Sequence, residues 1–250
     1  MLVKKGHNLM GLIYGKNPVT EAIVSGKTIN KIYVSKTNKE LYEIIKLAKS
    51  KKIVVVESDK SKLDKMVEHK NSQGIVASIT DYEYFEVDDI LNEANKRNEH
   101  PFVIILDKIE DPHNLGAIIR TAECLGAHGI IIQKRNACQI TDTVEKVAAG
   151  ATSFVKVSRV TNITETIKYL QEKGLWIYGL DMDGAQDIYN TKFDGPIGIV
   201  VGNEGSGISR LVKENCDFMI KIPMAGNINS LNASVSTAIS IYEVIRQKNK

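Results

Sequence analysis

Four short apolar runs constrain the fold more than any other feature of the sequence. They lie at residues 102–106, 129–132, 176–180 and 197–201. Helical patterns lie around them, at residues 115–125, 143–149, 163–172 and 235–245. Strands that are apolar on both faces are typical of a parallel sheet that helices cover on both sides. Residues 100–250 are therefore predicted to form an α/β domain with a parallel sheet.

The first 81 residues show a second, smaller α/β pattern. Strand signals at 32–34, 53–56 (predicted to be buried) and 74–77 alternate with helical patterns. This section has 15 Lys, no Arg and 8 acidic residues, a net charge of +7, whereas residues 82–250 have 18 basic and 22 acidic residues, a net charge of −4. A basic front domain indicates a polyanionic partner, although a single lysine more often only solvates a helix. The acidic stretch 82–99 is predicted to be a linker or connecting helix.

Composition excludes several classes of protein. No apolar run approaches the 18 or more residues that a membrane span needs, and residues 1–10 lack the apolar core of a secretory signal. We therefore expect a cytoplasmic protein without a membrane partner. The three cysteines (Cys124, Cys138 and Cys216) are widely spaced, which argues against a disulfide framework and against a metal site. We expect all three to be small buried hydrophobic residues.

Three polar segments follow predicted strands, and this is where ligands bind in open α/β folds. The first runs from Asp107 to Gly116 and is followed by Arg120 on a helix. Ordinary roles are available here, since Asn114 could cap that helix and Arg120 could pair with Glu123.

The second segment, 198–208, has the spacing Gly-x-x-Gly-x-Gly and contains Glu204. It matches neither the dinucleotide fingerprint nor a phosphate-binding loop. The third segment, 220–234, ends a strand near Pro223 and precedes the last helix, for which Ser230, Asn232 or Ser234 could be the N-cap.

Together the three segments resemble the three motifs of the SpoU-type RNA ribose methyltransferases, which have the trefoil-knotted SPOUT fold. The similar stretches are 111–116 with 120–122, then 202–207, then 222–224 with 230–234. Residues 14–22 resemble the start of a small RNA-binding domain, similar to ribosomal protein L30e, that precedes the knot in one subgroup. The resemblance implies an L30e-like RNA substrate-binding domain at 1–81 and a knotted methyltransferase domain at 100–250.

The resemblance also implies the chemistry. Family members transfer a methyl group from S-adenosyl-L-methionine to a ribose 2′-hydroxyl of structured RNA, and they form homodimers. The positions that match cofactor contacts are Gly202, Ile222 and Leu231. Those that match polar active-site positions are Asn114, Arg120, Glu204, Ser230 and Asn232. The apolar stripe of Ile239, Tyr242 and Ile245 on the last helix is expected to pack on a second copy, or alternatively on its own sheet.

Overall likeness favours a guanosine of bacterial 23S rRNA as the substrate. A transfer RNA ribose is the alternative substrate, and a non-catalytic RNA-binding or ribosome-assembly protein is the alternative function. The intact polar positions argue against the non-catalytic protein. A nicotinamide dehydrogenase is disfavoured because the Gly-x-Gly-x-x-Gly fingerprint is absent.

Overall fold

The computed structural model describes residues 11–36, 39–80, 82–227 and 230–248, which form two compact units. One unit contains the described residues up to Glu83 together with Ile140–Asp142. The other contains Tyr84–Gln139 and the described residues from Thr143 on. Within the described ranges, no helix has both the length and the apolar character to cross a bilayer.

The first unit is a small sheet with helices on both faces. Its elements are β1 (Leu12–Tyr14), α1 (Lys16–Val24), β2 (Ile29–Ser35), α2 (Tyr42–Ser50), β3 (Val55–Ser58), α3 (Lys60–Met66) and β4 (Ile75–Ile79). The strand order is β1-β4-β2-β3, with β2 and β3 parallel and the other two pairs antiparallel. One core cluster includes Ile32, Ala48 and Ile75, and a smaller one gathers Leu63 and Val67 of the α3 region against Val76.

The predicted buried strand at 53–56 is in fact an edge strand that starts and ends later. Among the described residues β3 pairs with β2 alone, and Val56 and Glu57 are exposed. The apolar run misled the prediction because Val54 is buried but lies just before the strand.

The second unit is built on the predicted parallel sheet. Its strands are β5 (Phe102–Asp107), β6 (Gly129–Gln133), β7 (Lys156–Val160), β8 (Trp176–Leu180), β9 (Gln186–Asp187), β10 (Ile197–Gly202) and β11 (Phe218–Lys221). The order is β7-β6-β5-β10-β8-β11-β9, and each neighbouring pair is parallel. Every residue of β5 and β10 is buried, as expected for central strands that helices cover on both faces.

Six helices accompany this sheet in the described part of the chain. They are α4 (Val87–Lys96), α5 (Pro112–Cys124), α6 (Asp142–Ala148), α7 (Ile163–Glu172), α8 (Arg210–Lys213) and α9 (Ala233–Lys248). α9 packs against α5 and β10, so the last helix lies beside the helix that carries Arg120.

Residues 84–99 were predicted to belong to a linker or connecting helix; they do contain the helix α4, but they are part of the second unit. α4 buries Ile90, Leu91 and Ala94, and the first two join the core cluster of the large sheet. The packing is so close that a Cβ atom at Gly129 would lie 2.6 Å from Ile90. The acidic side chains that suggested a solvated connection are on the outer face and at the N-cap, where Glu86 and Asp89 form a capping box.

The cysteines only partly fit the expectation of buried residues. Cys124 ends α5 and is exposed, so that expectation is wrong for Cys124, while Cys138 and Cys216 are half-buried. Burial, with smaller contributions from Asp217 and Asp107, raises the pKa of the Cys216 thiol to about 12. This thiol therefore stays protonated and unreactive at neutral pH.

The predicted apolar stripe of α9 faces away from the unit's own core. The buried face consists of Ala233, Thr237, Ser240, Ile241 and Val244. Of the predicted stripe, Ile239 and Tyr242 are 37% and 60% exposed, whereas Ile245 is half-buried; Val235, also on α9, is 45% exposed. The alternative in which this stripe packs only on its own sheet is therefore wrong.

Candidate active site

The sheet brings the first two polar segments together. β5 and β10 are neighbours, and their last residues, Asp107 and Gly202, are paired in register. Both segments therefore begin at the same carboxyl edge of the parallel sheet. The third segment leaves β11, on the far side of β8 from β10, and ends where α9 begins.

Glu204 joins the three segments through one carboxylate oxygen. Its Oε1 accepts hydrogen bonds from Asn114 Nδ2 at 2.9 Å, from the Ala233 backbone N–H at 3.2 Å, and from Asn232 Nδ2. Asn232 Nδ2 also donates to Asn114 Oδ1 at 2.9 Å. Three of the five predicted polar site residues thus form one connected network.

Helix starts place the two asparagines of this network. Asp111 is the N-cap of α5, since its side chain accepts the His113 N–H at 2.8 Å, and Pro112 occupies the first helical position. Asn114 is therefore not the cap but lies in the first turn, buried, with its amide directed at Glu204.

At the start of α9, Asn232 is the residue that caps. Its Oδ1 accepts the Ser234 N–H at 2.9 Å, while its Nδ2 remains available for the network. A single side chain thus caps the helix and bonds to Glu204.

The loop after β10 is tightly closed. The Gly207 N–H donates to the Asn203 carbonyl at 2.8 Å, and a Cβ atom at Gly202 would lie 2.1 Å from the Gly207 carbonyl carbon. The loop is also tied to the end of β5, because Asn203 Nδ2 donates to the Lys108 carbonyl and the Ser209 N–H donates to Asp107 Oδ2. Only glycine fits at position 202, and the loop holds Glu204 in a fixed place.

A cleft of about 260 Å³ opens beside this loop. Five of the predicted site residues line it: Gly202, Glu204, Ile222, Ser230 and Leu231. Asn114 and Asn232 do not line the cleft themselves, but both donate hydrogen bonds to Glu204, which does. The volume is slightly below the range of about 300–1,000 Å³ that is usual for small-molecule pockets.

The lining also contains residues that the sequence reasoning missed. They include Asp181, Met182 and Asp183 after β8, Ser206 in the glycine loop, Lys213 at the end of α8, Met224, and Ser236 of α9. Asp181 Oδ2 lies 2.8 Å from Lys213 Nζ. The position of Asp181 directly after a parallel strand was the signal that could have revealed it.

Arg120 is the predicted site residue that stays apart. It is exposed on α5, about 9 Å further along the helix axis than Asn114 at the usual rise per residue. In the described part of the chain it makes no ion pair or side-chain hydrogen bond, so the alternative of pairing with Glu123 is wrong. It is also not among the residues that line the cleft.

The family of this chain follows from a comparison with known protein families. Residues 101–242 match the SpoU rRNA Methylase family. The chain belongs to this family. In addition, residues 12–85 match a domain described as RNA 2′-O ribose methyltransferase substrate binding. The resemblance read from the three segments is thereby confirmed, and the family member described here is an RNA methyltransferase.

Relatives support the assignment over nearly the whole chain. YacO of Bacillus subtilis, a protein named for the TrmH family of tRNA/rRNA methyltransferases, is 44% identical over 239 residues, which cover 95% of this chain and 96% of YacO. A similarly named protein of Staphylococcus saprophyticus is 46% identical over 240 residues, with 95% and 96% covered.

A solved structure has the same fold. The SpoU methyltransferase AviRb of Streptomyces viridochromogenes, in complex with the cofactor AdoMet, aligns with a TM-score of 0.61 and 24% identity over 96% of this chain and 90% of AviRb.

Proposed function

We propose that this SpoU family member transfers a methyl group from S-adenosyl-L-methionine to a ribose 2′-hydroxyl of structured RNA. The observation that carries the proposal is the Glu204 network, which connects all three polar segments beside one cleft. A structural protein without a ligand has no need of a polar network that converges on an open cleft.

The chemistry of the cleft fits the cofactor. Leu180, Ile222 and Leu231 offer apolar walls for an adenine. The carboxylate of Glu204 in the lining suits the positive charge of a sulfonium. We propose that backbone groups of Gly202, Ile222 and Leu231 hold the adenosine part. When bound, the cofactor supplies an electrophilic methyl group.

The acceptor hydroxyl must lose a proton during the transfer. Arg120 is a poor base, because the guanidinium of an arginine is not deprotonated in proteins. We propose that Arg120 binds the phosphate beside the target and stabilises the negative charge that develops on the ribose oxygen. Its unpaired, exposed guanidinium is free for such a contact. Ser230 completes the predicted polar set at the rim of the cleft.

A homodimer is part of the proposal. The exposed side chains of Val235, Ile239 and Tyr242 form an apolar face on α9 that a two-fold contact would bury. α9 packs against α5, so this contact would lie near Arg120. Light scattering should give the mass of a dimer for the wild type and of a monomer for Tyr242→Glu, with Tyr42→Glu, a similarly exposed tyrosine of the first unit, as the control.

The proposed substrate is a guanosine of 23S rRNA. We propose that the basic first unit is the L30e-like RNA-binding domain, that the second unit contains the trefoil knot, and that the enzyme acts in the cytoplasm on ribosomal RNA. The match of residues 12–85 to a substrate-binding domain supports the first of these assignments.

The test compares 2′-O-methyl marks in total RNA from cells with and without the gene. Loss of one mark in 23S rRNA, restored by the wild type but not by Arg120→Ala, is the expected result. Loss of a transfer RNA mark would replace the substrate and keep the reaction. A non-catalytic protein would change no mark and would give no heat when titrated with S-adenosyl-L-methionine.

A further inference from the structure

Asp181 is a nearly buried carboxylate in the cleft that none of the three motif-like segments contains. It follows Leu180, the last residue of β8, and its side chain is 10% exposed. Its Oδ2 is 2.8 Å from Lys213 Nζ, and its Oδ1 accepts the Asp183 N–H at 3.2 Å. All three residues line the cleft. Both oxygens of Asp181 are therefore held in a fixed orientation.

The ion pair limits what Asp181 can bind. Because Lys213 already compensates its charge, Asp181 is a poor counter-ion for a second cation. A carboxylate has about four lone-pair sites, and Lys213 and the Asp183 N–H occupy two of them. What it can still accept is hydrogen bonds from neutral donors, one at each oxygen.

We propose that Asp181 accepts hydrogen bonds from the 2′- and 3′-hydroxyls of the cofactor's ribose, and that Lys213 orients the carboxylate for them. This inference rests on the proposed use of S-adenosyl-L-methionine. Two neighbouring O–H donors match two carboxylate oxygens, whereas a sulfonium offers no hydrogen to accept. An acidic side chain near the end of a parallel strand reads a ribose in the same way in dinucleotide-binding sheets.

The position of Asp181 agrees with such a contact. Leu180 precedes it on the apolar wall proposed for the adenine, and the ribose is attached directly to that base. Asp181 is also fixed from the backbone, since its N–H donates to the Ile220 carbonyl at 2.9 Å. The carboxylate thus has a defined distance from the wall before any ligand binds.

The experiment is isothermal titration of the full-length protein with S-adenosylhomocysteine and with its 2′-deoxy and 3′-deoxy analogues. The wild type should bind S-adenosylhomocysteine about ten- to a hundredfold more tightly than either analogue, as expected for hydrogen bonds to a charged acceptor. Asp181→Ala removes both acceptor oxygens, so it should bind all three ligands with similar affinity, at least as weakly as the wild type binds either analogue. Asp181→Asn, which keeps the size of the side chain, should lose most of the same preference.

Asp183→Ala is the matched control. It removes an equal charge from the same cleft, and it keeps the backbone N–H that contacts Asp181. This variant should retain the preference of the wild type for the intact ribose. Circular dichroism melts would verify that each variant is folded.

Two results would overturn the inference alone: equal affinity of the wild type for all three ligands, or an equal loss of affinity for all three in Asp181→Ala. In both cases S-adenosylhomocysteine still binds the wild type, so the proposed function stands. If the wild type binds none of the ligands, the proposed function fails together with the inference.

Discussion

Replacing Glu204 separates a structural role from a role in proton transfer. All three hydrogen bonds of the network end on its Oε1, and its other carboxylate oxygen has no partner among the described residues. Glu204→Ala removes the shared acceptor, whereas Glu204→Gln keeps an oxygen at the position of Oε1. The two variants therefore differ in whether the Asn114 and Asn232 amides and the Ala233 N–H retain the acceptor at position 204.

The magnitudes follow from the surroundings of each donor. Asn114 is 6% exposed, so its amide loses its acceptor with little access to water, at a cost of about 1–3 kcal/mol. The exposed Asn232 can bond to water instead and adds little. We expect Glu204→Ala to lower the free energy of unfolding by about 2 kcal/mol, and Glu204→Gln by less than about 1 kcal/mol, because its acceptor is only neutral.

Urea unfolding followed by the fluorescence of Trp176, the single tryptophan of the chain, measures both values in the second unit. Glu110→Ala, an exposed carboxylate in the loop before α5, is the control and should change stability by less than about 0.5 kcal/mol. Equal stability of Glu204→Ala and wild type would refute the structural role. A Glu204→Gln variant that is stable and binds the cofactor, yet transfers no methyl groups, would show that the carboxylate takes the proton.

Three further predictions follow from the same structure. Arg120→Ala should reduce methyl transfer at least about a hundredfold with unchanged affinity for S-adenosylhomocysteine, because Arg120 lies outside the cleft lining; equal activity would contradict its role. Burial lowers the pKa of His128, whose Nδ1 accepts the Phe102 N–H, so the unfolded chain binds more protons below its ordinary pKa of about 6.5. Stability should therefore fall as the pH drops from about 6.5, and His128→Gln should flatten this dependence in urea titrations at several pH values. Replacing Lys46, Lys49 and Lys52, which are exposed in the α2 region, with glutamine should weaken RNA affinity and reduce its dependence on salt, because fewer phosphate contacts are made. Filter binding at several salt concentrations measures both effects, and Lys168→Gln in the second unit is the control.

Part of the fold was predictable because strands that are buried on both faces appear in the sequence as apolar runs. The runs at 102–106 and 197–201 became β5 and β10, the strands buried along their whole length. β7 escaped prediction because Lys156 and Arg159 interrupt it. A strand at the edge of a sheet tolerates such residues, and β6 is the one strand that pairs with β7 in the described part of the chain.

The residues at the start of α5 were sufficient to predict its N-cap correctly. Asp111 followed by Pro112 is a strong start signal, since the aspartate caps and the proline occupies the first helical position. With the helix beginning there, Asn114 is the third helical residue, within the first turn, and cannot be the cap. The faces that α4 and α9 bury could not be predicted in the same way. The direction in which an amphipathic helix packs depends on its neighbours in space, which no pattern within the helix specifies.

Asp181, which was not predicted as a site residue, shows that a position at the end of a strand does not by itself identify a ligand-binding residue. Asp107 and Asp181 both stand at the carboxyl ends of parallel strands, and local sequence does not separate them. In the folded chain, Asp107 is fully buried and accepts the Ser209 N–H, so it fixes the loop after β10. Asp181 faces the cleft because β8 lies between β10 and β11, which also places Lys213 within reach of it. The order of strands in the sheet, not the residue type, decides which carboxylate supports the site and which one can contact a ligand.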